Sequence, residues 1–190
     1  QSTEGAQPGE GIGDLGVLYD MEERLKKISL PTDIIRAGYY MSNWDGSADT
    51  AAKEGRVYTF YPVDFRLPMV APKDIGIIAA GFLTSDVRDF RIHYMEGPEM
   101  YSSADVAKAF SKALNKPVEA VQIPREKWLT TLKEFGFSDK AARSTAAMTE
   151  ITLNNFEKAE SPIRGNTTLN EYIENLVSRN RKDNLTNISN

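Results

Sequence analysis

Apolar positions along this chain change from helical to strand spacing from one segment to the next, the pattern of a mixed α/β protein. Residues 1–13 hold Gly5, Gly9, Gly11 and Gly13 with Pro8, and they predict a loop. A helix is expected from Asp14, with Val17, Leu18, Met21, Leu25 and Ile28 on one stripe and Glu22, Glu23, Lys26 and Lys27 mostly off it. Pro31 lies just beyond, where helices stop. Residues 32–37 read as a buried strand, and a small-residue helix through Ala48, Ala51 and Ala52 ends at Gly55, which suits a left-handed cap. Residues 57–61 alternate as a strand does.

The clearest helix opens at Pro72, where a missing N–H costs nothing, and carries Ile75, Ile78, Ala79, Phe82 and Leu83 at core-facing spacing. Phe90, Ile92 and Tyr94 then alternate with Arg91, His93 and Met95 in a strand stopped by Gly97 and Pro98, with the first set on its apolar face. Ser102 and Asp105 have capping-box spacing ahead of Val106, Ala109, Phe110, Ala113 and Leu114. A strand over 118–123 leads to a helix opened by Pro124, in which Trp128, Leu129, Leu132 and Phe135 form a core face ending at Gly136. Ser138 caps a long helix through Ile151. Thr168 and Glu171 box the last helix, whose Leu169, Tyr172, Ile173, Leu176 and Val177 face inward before a fraying tail beyond Ser178.

Composition narrows the function. With 190 residues, 41% hydrophobic and 26% charged, the chain can bury a core. A net charge of -4 with no basic patch ahead of Arg179 argues against nucleic acid as a partner. The absence of cysteine removes disulfides, thiolate nucleophiles and Cys-ligated metals, and no metal site is expected. No apolar run approaches the roughly 18 to 20 residues that cross a bilayer, and residues 1–13 lack the features of a signal peptide. These traits read as a cytoplasmic protein with no membrane partner.

Residues 32–44 carry the candidate pocket. The strand with Ile34 and Ile35 empties through Arg36, Ala37 and Gly38 into Tyr39, Tyr40, Met41, Ser42, Asn43 and Trp44. In open α/β sheets, ligands settle outside the carboxyl ends of strands. Nothing upstream supplies the strand, glycine-rich turn and helix that hold a dinucleotide pyrophosphate.

The stretches 2–5, 19–25, 35–44, 67–76, 96–114 and 164–169, in this order, resemble the C-terminal half of an NmrA-like protein, an atypical short-chain dehydrogenase/reductase. The resemblance implies an α/β fold: the C-terminal part of a Rossmann-like parallel sheet plus a small α/β substrate domain. Residues 1–55 would be the remnant of the nucleotide-binding domain, and 56–178 the substrate-side domain, with 64–85 a hinge returning to the first and 179–190 a flexible tail. By that template the chain begins at the end of the fifth strand, and tight binding of NADP or NAD requires an N-terminal half that these residues do not include. Pairing with such a segment, or with a second copy, is the expected remedy for the exposed edge.

The same resemblance places Ser2, Thr3, Tyr39, Tyr40 and Asn43 beside the cofactor. Met41 and Trp44 are candidates for the substrate pocket, and core packing is the alternative for the aromatics. Tyr19 is the candidate catalytic tyrosine, but Glu23 stands where Tyr-x-x-x-Lys proteins carry the Lys that lowers the phenol pKa, so helix packing is its other reading. His93, the single histidine, has no partner identifiable by spacing and reads as a surface or second-layer residue. Asp64, Arg66 and Asp74 flank residues 67–72 of the hinge; a carboxylate pair there suggests acid/base work, and the stronger reading is that Asp74 suits the positive end of its helix. Two functions follow from the resemblance: an oxidoreductase moving hydride between nicotinamide and a small carbonyl or quinone-like substrate, or a non-catalytic NAD(P)-sensing regulator.

Overall fold

The computed structural model describes residues 1–28, 30–86, 89–155 and 159–188. In chain order the elements are β1 (Ser2–Thr3), α1 (Asp14–Lys26), β2 (Thr32–Ala37), β3 (Tyr39–Tyr40), a 3-10 turn (Met41–Ser47), α2 (Ala48–Glu54), β4 (Arg56–Thr59) and β5 (Leu67–Val70). There follow α3 (Pro72–Leu83), β6 (Phe90–Glu96), β7 (Met100–Tyr101), α4 (Ser103–Leu114), β8 (Glu119–Gln122), α5 (Trp128–Glu134), α6 (Asp139–Asn155), β9 (Ile163–Arg164) and α7 (Leu169–Ile188).

A parallel sheet runs in the order β1-β2-β6-β9, with β2 and β6 in register from Thr32 opposite Phe90 to Ala37 opposite Met95. Its neighbours are a β3-β5-β7 sheet and a parallel β4-β8 pair. Strand alternation sorts the main sheet's side chains. Ile35, Ala37 and Met95 face Ile75, Ile78, Ala79 and Phe82 of α3, forming the smaller core. Arg36 and Tyr94 lie on the opposite face, where Arg36 meets Glu22 of α1. The larger core gathers Trp44 and Ala51 with Val106 and Phe110 of α4 and Ile173 and Leu176 of α7. β6 and β9 lie beyond residue 55 yet join the first sheet, while α2 joins the second core.

Local signals hold where they rest on backbone chemistry. Ser102 and Asp105 form both arms of a capping box, and Gly55 caps α2 at φ 70°. Ser138 Oγ accepts from Ala141 N–H and Thr168 Oγ1 from Glu171 N–H. Two glycines are required by close approach: a Cβ on Gly38 would lie 2.3 Å from the Pro68 carbonyl oxygen, and one on Gly97 only 1.9 Å from that of Met69. The ends of β2 and β6 can therefore press against β5.

Burial departs from the sequence reading in four places. The buried side of α1 carries Leu15 and Glu22, while Val17 is 66% exposed and Ile28 is exposed as well, because Arg36 neutralises a carboxylate that hydropathy places outside. Ile92 is exposed, whereas His93 packs against Phe82 at 4.4 Å between ring centroids, because α3 covers that face of β6. Leu83, 87% exposed, lies about 100° round the helix from Phe82 and has turned off the core. Phe135 is exposed because it falls at the C-cap of α5, past the helical stripe of Trp128 and Leu132. In the tail expected to fray, α7 continues to Ile188, and residues 189–190 lie outside the described residues.

Candidate functional site

A cleft of about 1510 Å³ opens at the carboxyl ends of β1 and β2. One wall is Ser2, Thr3 and Glu4 with Arg36, Ala37 and Gly38; a second is Tyr39, Tyr40, Asn43 and Tyr61; Met148, Ile151 and Thr152 of α6 close a third. The parallel sheet dictates this placement, since both strands deliver their following residues to one end.

The five residues assigned beside a cofactor, Ser2, Thr3, Tyr39, Tyr40 and Asn43, all line this cleft. Ser2 is 3% exposed, and its hydroxyl has no hydrogen-bond partner among the described residues. Burial, with the neighbouring Tyr61, pushes the Tyr39 phenol above its ordinary range, and a hydrogen bond with Asn43 opposes that shift. Burial also raises Tyr40 and Tyr61. These phenols are neutral near pH 7, a state in which each can donate a hydrogen bond. Tyr39 stacks edge-on with Tyr61 at 6.2 Å, which fixes the aromatic wall.

Met41 and Trp44 do not reach the cleft. Both are buried in the larger core, where the 3-10 turn after Tyr40 directs them, and Trp44 sits behind Tyr39 at 6.3 Å between rings. Tyr19 is not among the residues lining the cleft either; from α1, Asp14, Leu15 and Leu18 reach it.

His93 does find a partner: its Nε2 lies 2.7 Å from Oδ1 of Asp33, which Arg91 also holds at 2.8 Å. The group sits toward the amino end of β2, away from the cleft. Asp74 does more than meet a helix dipole, since its two oxygens accept from N–H and Oγ1 of Thr167, each at 2.8 Å. No group of side chains suited to a metal ion occurs among the described residues, and no described helix is long and apolar enough to cross a membrane.

Sequence reasoning passed over two charged cleft residues, Arg36 and Glu4. Arg36 binds Glu22 and donates to Tyr94 Oη at 2.9 Å. Glu4 directly follows the Ser2–Thr3 pair, a position that marks it as a strand-end residue. It lies against the buried Glu96 at the end of β6.

A parallel sheet flanked by helices, with a cleft at its carboxyl edge, is the arrangement of Rossmann-like α/β proteins. Solved structures agree with this fold. Triphenylmethane reductase from Citrobacter sp. superposes with a TM-score of 0.75 at 16% identity, over 93% of this chain and 63% of that one. The NADPH-dependent quinone oxidoreductase of Escherichia coli, solved with NADPH, gives 0.70 at 19% identity, over 87% and 60%. The NmrA-like family model matches residues 19–183, and the chain belongs to that family. Among curated relatives, agroclavine dehydrogenase of Claviceps fusiformis is 22% identical over 79% of this chain and 53% of its own length. The chain spans about half the length of the curated relatives it matches.

Proposed function

We propose that these residues form the substrate-side portion of an NAD(P)H-dependent oxidoreductase that reduces a small carbonyl or quinone-like compound. The observation that carries this reading is the cleft itself, where the buried and unpartnered Ser2 hydroxyl stands with Tyr39, Tyr40 and Asn43 at the carboxyl ends of β1 and β2. A carboxamide presents both a donor and an acceptor, so the orphaned Ser2 hydroxyl and the Asn43 amide suit the nicotinamide end of such a cofactor. When bound, that group supplies the hydride. The chain's own residues orient the substrate, exclude water through the aromatic wall, and donate hydrogen bonds to an oxygen that gains charge. The names of the relatives, a quinone oxidoreductase and an azoreductase among them, support the class of reaction.

Titration with NADPH, followed by turnover against a panel of carbonyls and quinones, tests the reading. Tyr39→Phe with Tyr40→Phe should lower turnover. Undiminished turnover in that double variant removes the site assignment.

A second reading, a non-catalytic dinucleotide sensor, draws on Tyr19, which has Glu23 in place of a lysine and stands outside the cleft lining. NADPH binding without turnover on any member of the panel supports it.

A further inference from the structure

We propose that Glu4 and Glu96 hold one proton between them in the cleft wall, and that Glu4 is the acid that delivers it to the substrate oxygen. The acid role rests on the oxidoreductase reading above; the shared proton does not.

Glu96 ends β6 fully buried, and neither of its carboxylate oxygens has a hydrogen-bond donor in good geometry among the described residues. Arg164 of β9 places Nη1 2.7 Å from Oε2 of Glu96, and the same nitrogen donates to the Gly97 carbonyl at 3.0 Å. Glu4 is positioned by its backbone N–H, which donates to the Ala37 carbonyl at 3.0 Å. Its carboxyl lies against Glu96 and accepts from Ala159 N–H, and its Oε1 is buried without a donor. Glu4 Oε2 approaches within 3.3 Å of where a Cβ on Gly38 would stand, so the bare glycine makes room for it.

Two ionised carboxylates are acceptors only, and in contact they would repel and leave three buried oxygens unsatisfied. One proton relieves the repulsion: neutral Glu4 donates to one Glu96 oxygen, and Arg164, 2.7 Å from Glu96 Oε2, compensates the charge that remains. Among the described residues, the charged groups acting on Glu4 are Glu96 from β6 and Arg164 from β9. Burial first, then the hydrogen bond and charge of Glu96, push the Glu4 carboxyl up to about 8, with Arg164 opposing. A carboxyl group that stays neutral at pH 7 beside a cleft is suited to general acid work.

A reduced nicotinamide, when bound, would supply hydride to the carbonyl carbon, and the C=O π pair would move onto oxygen. Transfer of the Glu4 proton forms the new O–H bond and leaves Glu4 as a carboxylate. Water then returns a proton to it.

The test pairs a carbon-13 NMR titration of the side-chain carboxyls with pH profiles of NADPH-driven quinone reduction. In the wild type, Glu4 should titrate near the raised value, and Glu96→Gln, which removes the facing charge, should bring it down by at least about one unit. Wild-type turnover should fall as pH rises through that same region. Glu4→Gln keeps a donor toward Glu96 and so preserves the fold, but it should lose about 100-fold in turnover together with that pH limb. Titration of Glu4 below about pH 5 overturns the shared proton. A raised titration with unchanged Glu4→Gln turnover overturns the acid role. A protein that reduces no carbonyl or quinone overturns the oxidoreductase reading and the acid role together, while the NMR titration still decides whether the pair exists.

Discussion

The guanidinium of Arg36 on β2 meets the carboxylate of Glu22 on α1, Nε to Oε1 at 2.9 Å and Nη2 to Oε2 at 2.5 Å, with Tyr94 Oη accepting from Nη1. The two side chains are 13% and 2% exposed, so the pair is an internal strut between helix and sheet rather than a surface contact. Removal of one partner strands the other charge. Glu22→Ala should cost about 3 kcal/mol or more in urea unfolding, and the Glu22→Met, Arg36→Met double variant should recover most of it. A single variant with wild-type stability would show the strut to be dispensable.

Gly97 tests how closely β6 and β5 must approach. Its added Cβ would fall 1.9 Å from the Met69 carbonyl oxygen, against backbone that cannot swing aside. Gly97→Ala should cost about 3 kcal/mol. Gly76, inside α3 with nothing within 4 Å of its missing Cβ, is the control. There, alanine should stabilise by about 0.5 to 1 kcal/mol. Thermal melts of the two variants should shift in opposite directions.

Asp74 joins the start of α3 to the segment after β9 by accepting from both donors of Thr167. The carboxylate is buried, so Asp74→Ala leaves an amide and a hydroxyl without a partner. A loss of about 2 kcal/mol is expected. Thr167→Val, which removes one donor but keeps the backbone N–H bond, should cost less.

The pH dependence of stability carries two opposite contributions. Folded Glu4 keeps its proton up to about 8, against an ordinary 4.5, so between those values the folded state binds more protons than the unfolded chain. Stability should therefore fall as pH rises through this window and level off above it. Burial alone would raise Asp33, but hydrogen bonds from Arg91 and His93 outweigh it and hold the carboxyl below 3.8. Its contribution is present above about pH 4 and is lost as pH falls further. Melting temperatures from about pH 5 to 8.5 should decline in the wild type and stay flatter in Glu4→Gln; identical slopes would contradict the assignment to Glu4.

The candidate site was partly legible in the linear chain. Gly38, followed by two tyrosines and Asn43, marks the strand end because a glycine and polar aromatics there have few other uses, and all four line the cleft. Met41 and Trp44 belong to the same run, yet the 3-10 turn sends them into the core. Nothing in the one-dimensional pattern reveals that turn. Arg36 reads as an interruption in an apolar strand until Glu22 is placed beside it.

What the sequence by itself determined is the order of the helices and of strands β2, β4, β6 and β8, the caps at Ser102, Gly55, Ser138 and Thr168, and the kinship with NmrA-like proteins. Each of these depends on contacts within one helical turn or on residue order, both of which a linear chain displays. The short strands β3, β5, β7 and β9 emerge only in the structure. Tertiary structure alone decided which face of α1 is buried, that His93 rather than Ile92 packs against α3, and that Glu4 meets Glu96 under Arg164. The energy of a buried charge or an inward-facing strand position is set by partners from distant parts of the chain, and those partners meet when the parallel strands align their carboxyl ends.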